Sequence, residues 1–334
     1  MLCSVGLPTC MEGMMYPVPF STPDQVIEIG VLAEKLGYHS VWGNDHMTTQ
    51  KYVRERFSQP PNFWEPLITY SFIAAQTKKL QFGTGMLVLP MRRDIVVTAK
   101  QIATLDQFSS GRLIIGLGVG AYREEFEALH PNWKVNRGEM VEEGAQALKV
   151  LFTERTASWQ GKYYEFQNIE MYPKPLQNPL PIYFGGNNPN AASRTARFGQ
   201  GWMPAPMPAE LLARMIHEMR EEADKLGRNG KDLAVGPQFV CYVGKTHEAA
   251  VERFCRSQLY EHLVTLRAST LKDQADMDLV SANLVGSPEE VISKIKKYEA
   301  AGVTHICGTY YCADTVAELK DQMAFFAEEV MPYL

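Results

Sequence analysis

The sequence predicts an α/β fold, a (β/α)8 TIM barrel built as one domain over residues 1–334. Three observations predict it. Short β-type runs and helix-type runs alternate along the chain, which implies parallel strands joined by helical crossovers. The strands number about eight, the count that closes a barrel. The run Pro181-Ile182-Tyr183-Phe184 stops at Gly185-Gly186-Asn187-Asn188-Pro189, a strand feeding a helix through a turn without side-chain bulk. An open doubly wound sheet is the second architecture that the alternation allows.

Residues 2–7 form a first strand that ends at Pro8. Thr22-Pro23-Asp24-Gln25 opens the first helix: Thr22 caps, Pro23 suits the first helical position and Gln25 reaches back. Ile29, Leu32, Ala33 and Leu36 are its apolar stripe, and Gly37 ends it. A strand over 39–42, a helix over 66–76, a strand over 80–89 and a helix over 95–108 follow. Gly111 turns the chain into a strand over 112–118, and residues 140–152 are helical. The Tyr- and Pro-rich segment 157–181 reads as a small β-excursion. A strand over 182–184, a helix over 190–198, a short strand near Trp202 and a helix over 209–226 come next. Residues 233–243 read as a strand and 247–258 as a helix. Ser287-Pro288-Glu289-Glu290 repeats the capping design and opens a helix over 291–300, closed by Gly302. A strand over 304–309 and a helix over 316–330 end the series. Insertions fall at about 46–64, 157–181 and 260–283, the first and last being long polar connections of the kind that form lids.

A net charge of -5 and no basic block argue against nucleic acid as a partner. No apolar run reaches the ~18 residues of a membrane helix. Cys3, Cys10, Cys241, Cys255, Cys307 and Cys312 are scattered without metal spacing, so free thiols and no metal are expected. With no basic n-region before an apolar segment, a cytoplasmic protein is expected.

In a barrel, chemistry sits where strands end. That rule nominates Asp45-His46 after the second strand, Thr84-Gly85-Met86 on the third, Gly118 to Tyr122 after the fourth and Gly185 to Asn188 after the fifth. His46 can act as acid, base or hydrogen-bond donor near neutral pH. Asp45, its neighbour on an extended chain, points the other way. The Gly185-Gly186 turn offers backbone N–H groups and a helix N-terminus to a phosphate, and Arg194 or Arg197 stands behind it as a possible partner. Gly83, Gly85, Gly116 and Gly118 suggest close backbone approach of a flat ligand. Gly116-x-Gly118-x-x-Ala121 fits a loosened dinucleotide fingerprint, but it falls in the fourth unit rather than the first.

Several fragments in this order resemble the bacterial luciferase-like monooxygenase superfamily. They are Leu36-Gly37-Tyr38-His39-Ser40-Val41-Trp42 with Asp45-His46, Gly83-Thr84-Gly85 with Leu89-Pro90, and Ser110-Gly111-Arg112-Leu113 leading to Gly116-Leu117-Gly118-Val119-Gly120. Arg137-Gly138-Glu139, Gly161-Lys162-Tyr163-Tyr164, Pro173-Lys174-Pro175, Gly185-Gly186-Asn187 and Gly201-Trp202 complete the series. The resemblance implies a barrel that binds reduced FMN, or alternatively the deazaflavin F420, at the strand C-termini. It implies His46 near the reactive ring face, Asp45 near the ring edge, and Thr84-Gly85-Met86 as a supporting bulge, often with a non-proline cis peptide. It implies Gly185-Gly186-Asn187-Asn188 at the phosphate, with Gly118, Gly120 and Tyr122 at the cofactor.

The resemblance also implies a homodimer. The sugar and alcohol dehydrogenases of the deazaflavin branch carry a glutamate where this chain has Ala121, and its first acidic residues beyond are Glu124 and Glu125. The expected function is therefore a monooxygenase using O2 and reduced FMN from a separate flavin reductase on a small organic substrate. F420-dependent hydride transfer is the alternative, and a non-catalytic flavin-binding protein the second.

Overall fold

The structure, a computed structural model, describes residues 1–334. Its elements run β1 (Ser4–Leu7), α1 (Pro23–Lys35), β2 (Ser40–Gly43), α2 (Lys51–Arg56), α3 (Pro66–Gln76), β3 (Gln81–Thr84), β4 (Leu87–Val88), α4 (Ile95–Phe108), β5 (Leu113–Gly118), α5 (Arg123–Leu129) and α6 (Arg137–Thr153). The antiparallel hairpin β6 (Ala157–Gln160) and β7 (Glu165–Ile169) follows. Then come β8 (Ile182–Gly185), α7 (Pro189–Phe198), β9 (Gly201–Met203) and α8 (Ala209–Lys225). The last third holds β10 (Ala234–Val235), β11 (Phe239–Val243), α9 (His247–Cys255), α10 (Gln258–Leu266), β12 (Leu284–Gly286), α11 (Pro288–Ala300), β13 (Thr309–Tyr311) and α12 (Val316–Glu329).

Local signals set the helix starts. Thr22 and Gln25 exchange both bonds of a capping box at α1, and Ser287 and Glu290 do the same at α11. The strands are parallel and follow the order β10-β9-β8-β5-β3-β2-β1-β13-β11-β12. The ring closes through one stretch of chain. On one side of it the Gly236 and Gln238 amides donate to Trp202 and Pro204; on the other, Cys307 donates to Pro237 and Phe239 to Gly308. The product is a TIM-type barrel. Strands β1, β2 and β5 are buried along their whole length, which explains why they read as apolar runs and not as alternations.

Four sequence expectations change. The strand over 80–89 is broken after Thr84, resumes at Leu87 and ends in a 3-10 turn. The strand over 233–243 is two, because Gly236, Pro237 and Gln238 carry the chain from one neighbour to the other. The helix over 247–258 stops at Cys255, and Ser257 caps a new one through its hydroxyl and the Tyr260 amide. The last strand is Thr309–Tyr311, with a single bridge at His305 before it and Gly308 at φ 84° between. No helix is long and apolar enough to cross a membrane, and all six cysteines are free.

Candidate active site

The strand C-termini surround a cavity of about 200 Å³. It is lined by Asp45 and His46 after β2, Gly85 and Met86 after β3, Gly118, Gly120 and Tyr122 after β5, and Gly185, Gly186 and Asn187 after β8. Thr84 and Asn188 stand apart. The Thr84 hydroxyl accepts from the Gly116 amide and donates to its carbonyl, both at 2.9 Å, tying β3 to β5. Asn188 caps α7 by accepting from the Ala191 amide.

The glycines make room for side chains of the chain itself. A Cβ on Gly118 would stand 2.8 Å from Met86 Cβ, and one on Gly185 2.7 Å from Met86 Sδ. A Cβ on Gly83 would meet the Trp42 ring at 2.2 Å. A flat ligand against bare backbone at 83 and 118 is therefore not what these positions provide: Trp42 and Met86 already cover them. The Gly85-Met86 peptide is cis.

His46 is the centre of the polar network. Its Nδ1 lies 2.9 Å from Glu125 Oε2, on α5, and Glu125 is 1% exposed. The other carboxylate oxygen accepts from the amides of Met47 at 2.5 Å and Thr48 at 3.2 Å. A carboxylate filled on one oxygen by two N–H donors asks a donor of the other, so Nδ1 carries the proton and Nε2 is the nitrogen left for a ligand. Phe63 and Tyr122 flank the ring at 5.9 Å. Burial, then Tyr52, push the Tyr122 hydroxyl far above its ordinary pKa.

Asp45 is committed elsewhere. Arg92 grips both its oxygens at 2.9 and 3.1 Å, and the Val88 amide adds a third bond at 3.0 Å. The same guanidinium holds Glu65 at 2.6 Å. Burial works against the Arg92 charge, and the two carboxylates outweigh it, raising its pKa. Asp45 thus braces β4 and the turn that follows it. Arg194 and Arg197 both pair with Glu142 on α6 at 3.3 Å, so neither serves the glycine turn as the sequence suggested.

The turn does fit an anion. The Asn187 Nδ2 is buried without a partner, and the backbone amides of Asn187 and Asn188 donate to no group of the chain. They lie just before the N-terminus of α7, whose positive dipole end favours negative charge.

Sequence reasoning gave Glu125 no role and passed over Arg92, Gln238 and His262. Gln238 sits on the crossover between β10 and β11, bonded to the Tyr310 hydroxyl. His262, on α10, lines the cavity and is 5% exposed, with Nδ1 unpartnered. Burial, then His46 nearby, pull its pKa down to about 4, so it is neutral at pH 7. The segment over 260–283 is thus no bare polar loop: α10 enters it and aims a side chain inward.

Residues 4–305 match the family described as luciferase-like monooxygenase. The chain belongs to the luciferase-like monooxygenase family. It is 27% identical over 299 residues to an F420-dependent glucose-6-phosphate dehydrogenase of Amycolatopsis mediterranei, covering 85% of this chain and 87% of that one. It is 23% identical over 363 residues to an FMNH(2)-dependent dimethylsulfone monooxygenase of Pseudomonas putida, covering 96% of each. The structure of monooxygenase RslO1 from Streptomyces bottropensis superposes with a TM-score of 0.80 at 23% identity, over 100% of this chain and 99% of that one. As a luciferase-like enzyme the chain is an oxidoreductase of a family with both F420- and FMN-dependent members.

Proposed function

We propose that this enzyme is an F420-dependent hydride-transfer oxidoreductase in which His46 handles the proton. The observation that carries the reading is the His46–Glu125 pair. Hydride addition to a carbonyl leaves an oxygen that needs a proton, and the reverse reaction must remove one. A histidine with one nitrogen fixed by a carboxylate and the other free suits that task, as it does in other acid–base pairs. F420, when bound, supplies or accepts the hydride. The chain's part is the rest. Asn187 Nδ2, the amides of Asn187 and Asn188 and the α7 dipole hold a phosphate. Met86, on the cavity wall, would line the site of the ring. His46 Nε2 gives the substrate oxygen its proton or takes it back, and Glu125 stabilises the imidazolium.

The reading reverses the order expected from sequence. Ala121 removes one carboxylate, but Glu125, four residues on and carried by α5, returns a carboxylate to the site through His46. The second reading is a monooxygenase using O2 and reduced FMN from a separate reductase. It is favoured by the thioethers of Met15, Met86 and Met203 around the cavity, which exclude water. Titration with FMN and F420, each oxidised and reduced, separates them by fluorescence. Tight F420 binding without oxygen uptake supports hydride transfer; tight binding of reduced FMN with oxygen uptake replaces it by the second reading. Binding of neither removes the phosphate role of residues 185–188.

A homodimer is part of the proposal. Helix α3 has no charged residue, and Ile68 and Phe72, one turn apart, are each 58% exposed. Two copies can lay this face on itself without like-charge repulsion.

A further inference from the structure

The cavity has no cation of its own. Among the residues that line it there is no lysine and no arginine. Arg92, behind Asp45, is spent on Asp45 and Glu65. Arg137, behind the glycines after β5, is outside the lining and donates to the carbonyls of Val119 and Gly120. The one anion cradle is the Asn187–Asn188 turn, which the proposed function gives to the cofactor. A phosphorylated substrate would bring a second multiply charged group into the cavity with no cation to pair it.

The rest of the lining mixes apolar side chains with the uncharged polar groups of Asn44, Tyr122, Gln238 and Thr270. Helix α10 presents His262 and, four residues on, Leu266 to the cavity, with Met15 also in the wall. His262 Nδ1 is a buried hydrogen-bonding atom without a partner, a vacancy that costs stability unless a ligand fills it.

We propose that the organic substrate of this site is uncharged, that it carries a hydrogen-bonding oxygen or nitrogen recognised by His262, and that sugar phosphates are excluded. This rests on the reading that the glycine turn holds the cofactor phosphate. Glucose 6-phosphate, the substrate printed in the name of the Amycolatopsis relative, is thus not accepted here.

The test uses cofactor-loaded protein, with loading followed by fluorescence so that failure of the cofactor reading is seen separately. If neither F420 nor FMN loads, the same titrations are run on the free protein. Thermal shift and fluorescence are recorded against cyclohexanone, cyclohexane and glucose 6-phosphate. The expected result is saturable binding of cyclohexanone, weaker binding of cyclohexane and none of the phosphate. His262→Ala should weaken cyclohexanone about tenfold, the loss of one hydrogen bond, and leave cyclohexane unchanged. His262→Gln, which keeps a donor and an acceptor, should recover part of the loss. Saturable binding of glucose 6-phosphate, no binding of cyclohexanone, or equal weakening of both neutral probes by His262→Ala would each overturn the assignment. The ranking of probes on the unmutated protein decides the matter even if the variants fold poorly.

Discussion

Glu125→Gln tests the site without a known substrate. The carboxylate accepts from the Met47 and Thr48 amides on one oxygen and meets His46 Nδ1 with the other at 2.9 Å. In the glutamine variant the side-chain oxygen stays with the two amides, and its NH2 then faces Nδ1–H. Two donors cannot share that contact. The imidazole relieves it by moving its proton to Nε2, which turns the nitrogen that faced a ligand from acceptor to donor. Losing one charge-assisted bond costs about 1.5–3 kcal/mol of stability. Loss of correct acid–base catalysis costs on the order of 10²–10⁴ in turnover. The direct assay is a ¹⁵N–¹H correlation spectrum of histidine-labelled protein, in which the two tautomers have distinct nitrogen shifts. Wild type should show His46 protonated at Nδ1, and the variant at Nε2. An Nε2–H tautomer in wild type, or no change on substitution, would refute the argument that Glu125 sets the ring.

Three further outcomes follow from the structure. Burial, then His46 beside His262 and His39 beside His305, lower these two pKa values to about 4 and about 3. The unfolded chain takes up protons near pH 6.5 while the folded one resists, so the unfolding free energy read by urea denaturation should fall as pH drops below about 6.5, by about 3–5 kcal/mol per histidine once the pH is below the folded values and both states are protonated; a flat profile between pH 7.5 and 4.5 would contradict it. Arg92→Leu should cost about 3–5 kcal/mol, read by urea denaturation, because Asp45 would be left buried and unpaired; adding Asp45→Asn should recover part of that. Phe72→Glu should give monomers by sedimentation with unchanged circular dichroism if α3 is the dimer face, and a wild-type monomer would dismiss the dimer.

The parts of the fold that were legible are those set by neighbours in sequence. Thr22 with Gln25 and Ser287 with Glu290 are complete capping boxes within four residues, and both form as read. Asp94 likewise caps α4 through the Val96 and Val97 amides. The strands with both faces buried show themselves as apolar runs, and their alternation with helices names the barrel. What failed depends on distant partners. The run over 80–89 has strand composition throughout, but Gly85 leaves the ladder to reach the cavity. The helix over 247–258 keeps its apolar period across Ser257, and only the capping bond of Ser257 shows that the chain restarts there.

The site divides in the same way, and its glycines show why. A glycine tells the reader that side-chain bulk is absent, not whose bulk fills the space. At Gly83 it is Trp42, 41 positions earlier, at Gly116 the Thr84 carbonyl and Met86, and at Gly118 Met86, so three positions that suggested a bare floor for a ligand are packed. Glu125 is the sharper case. Read in sequence, Ala121 marks a missing acid and Glu125 a helix-face residue of no particular meaning. Its significance comes from the turn of α5 that carries it under the loop after β2, where the Met47 and Thr48 amides and His46 Nδ1, 77 to 79 positions away, converge on one carboxylate. No local pattern can encode that convergence. The loss at 121 and the gain at 125 are four residues apart, the first in the loop after β5 and the second on α5, and that step sets the carboxylate behind the His46 ring and not at the strand end.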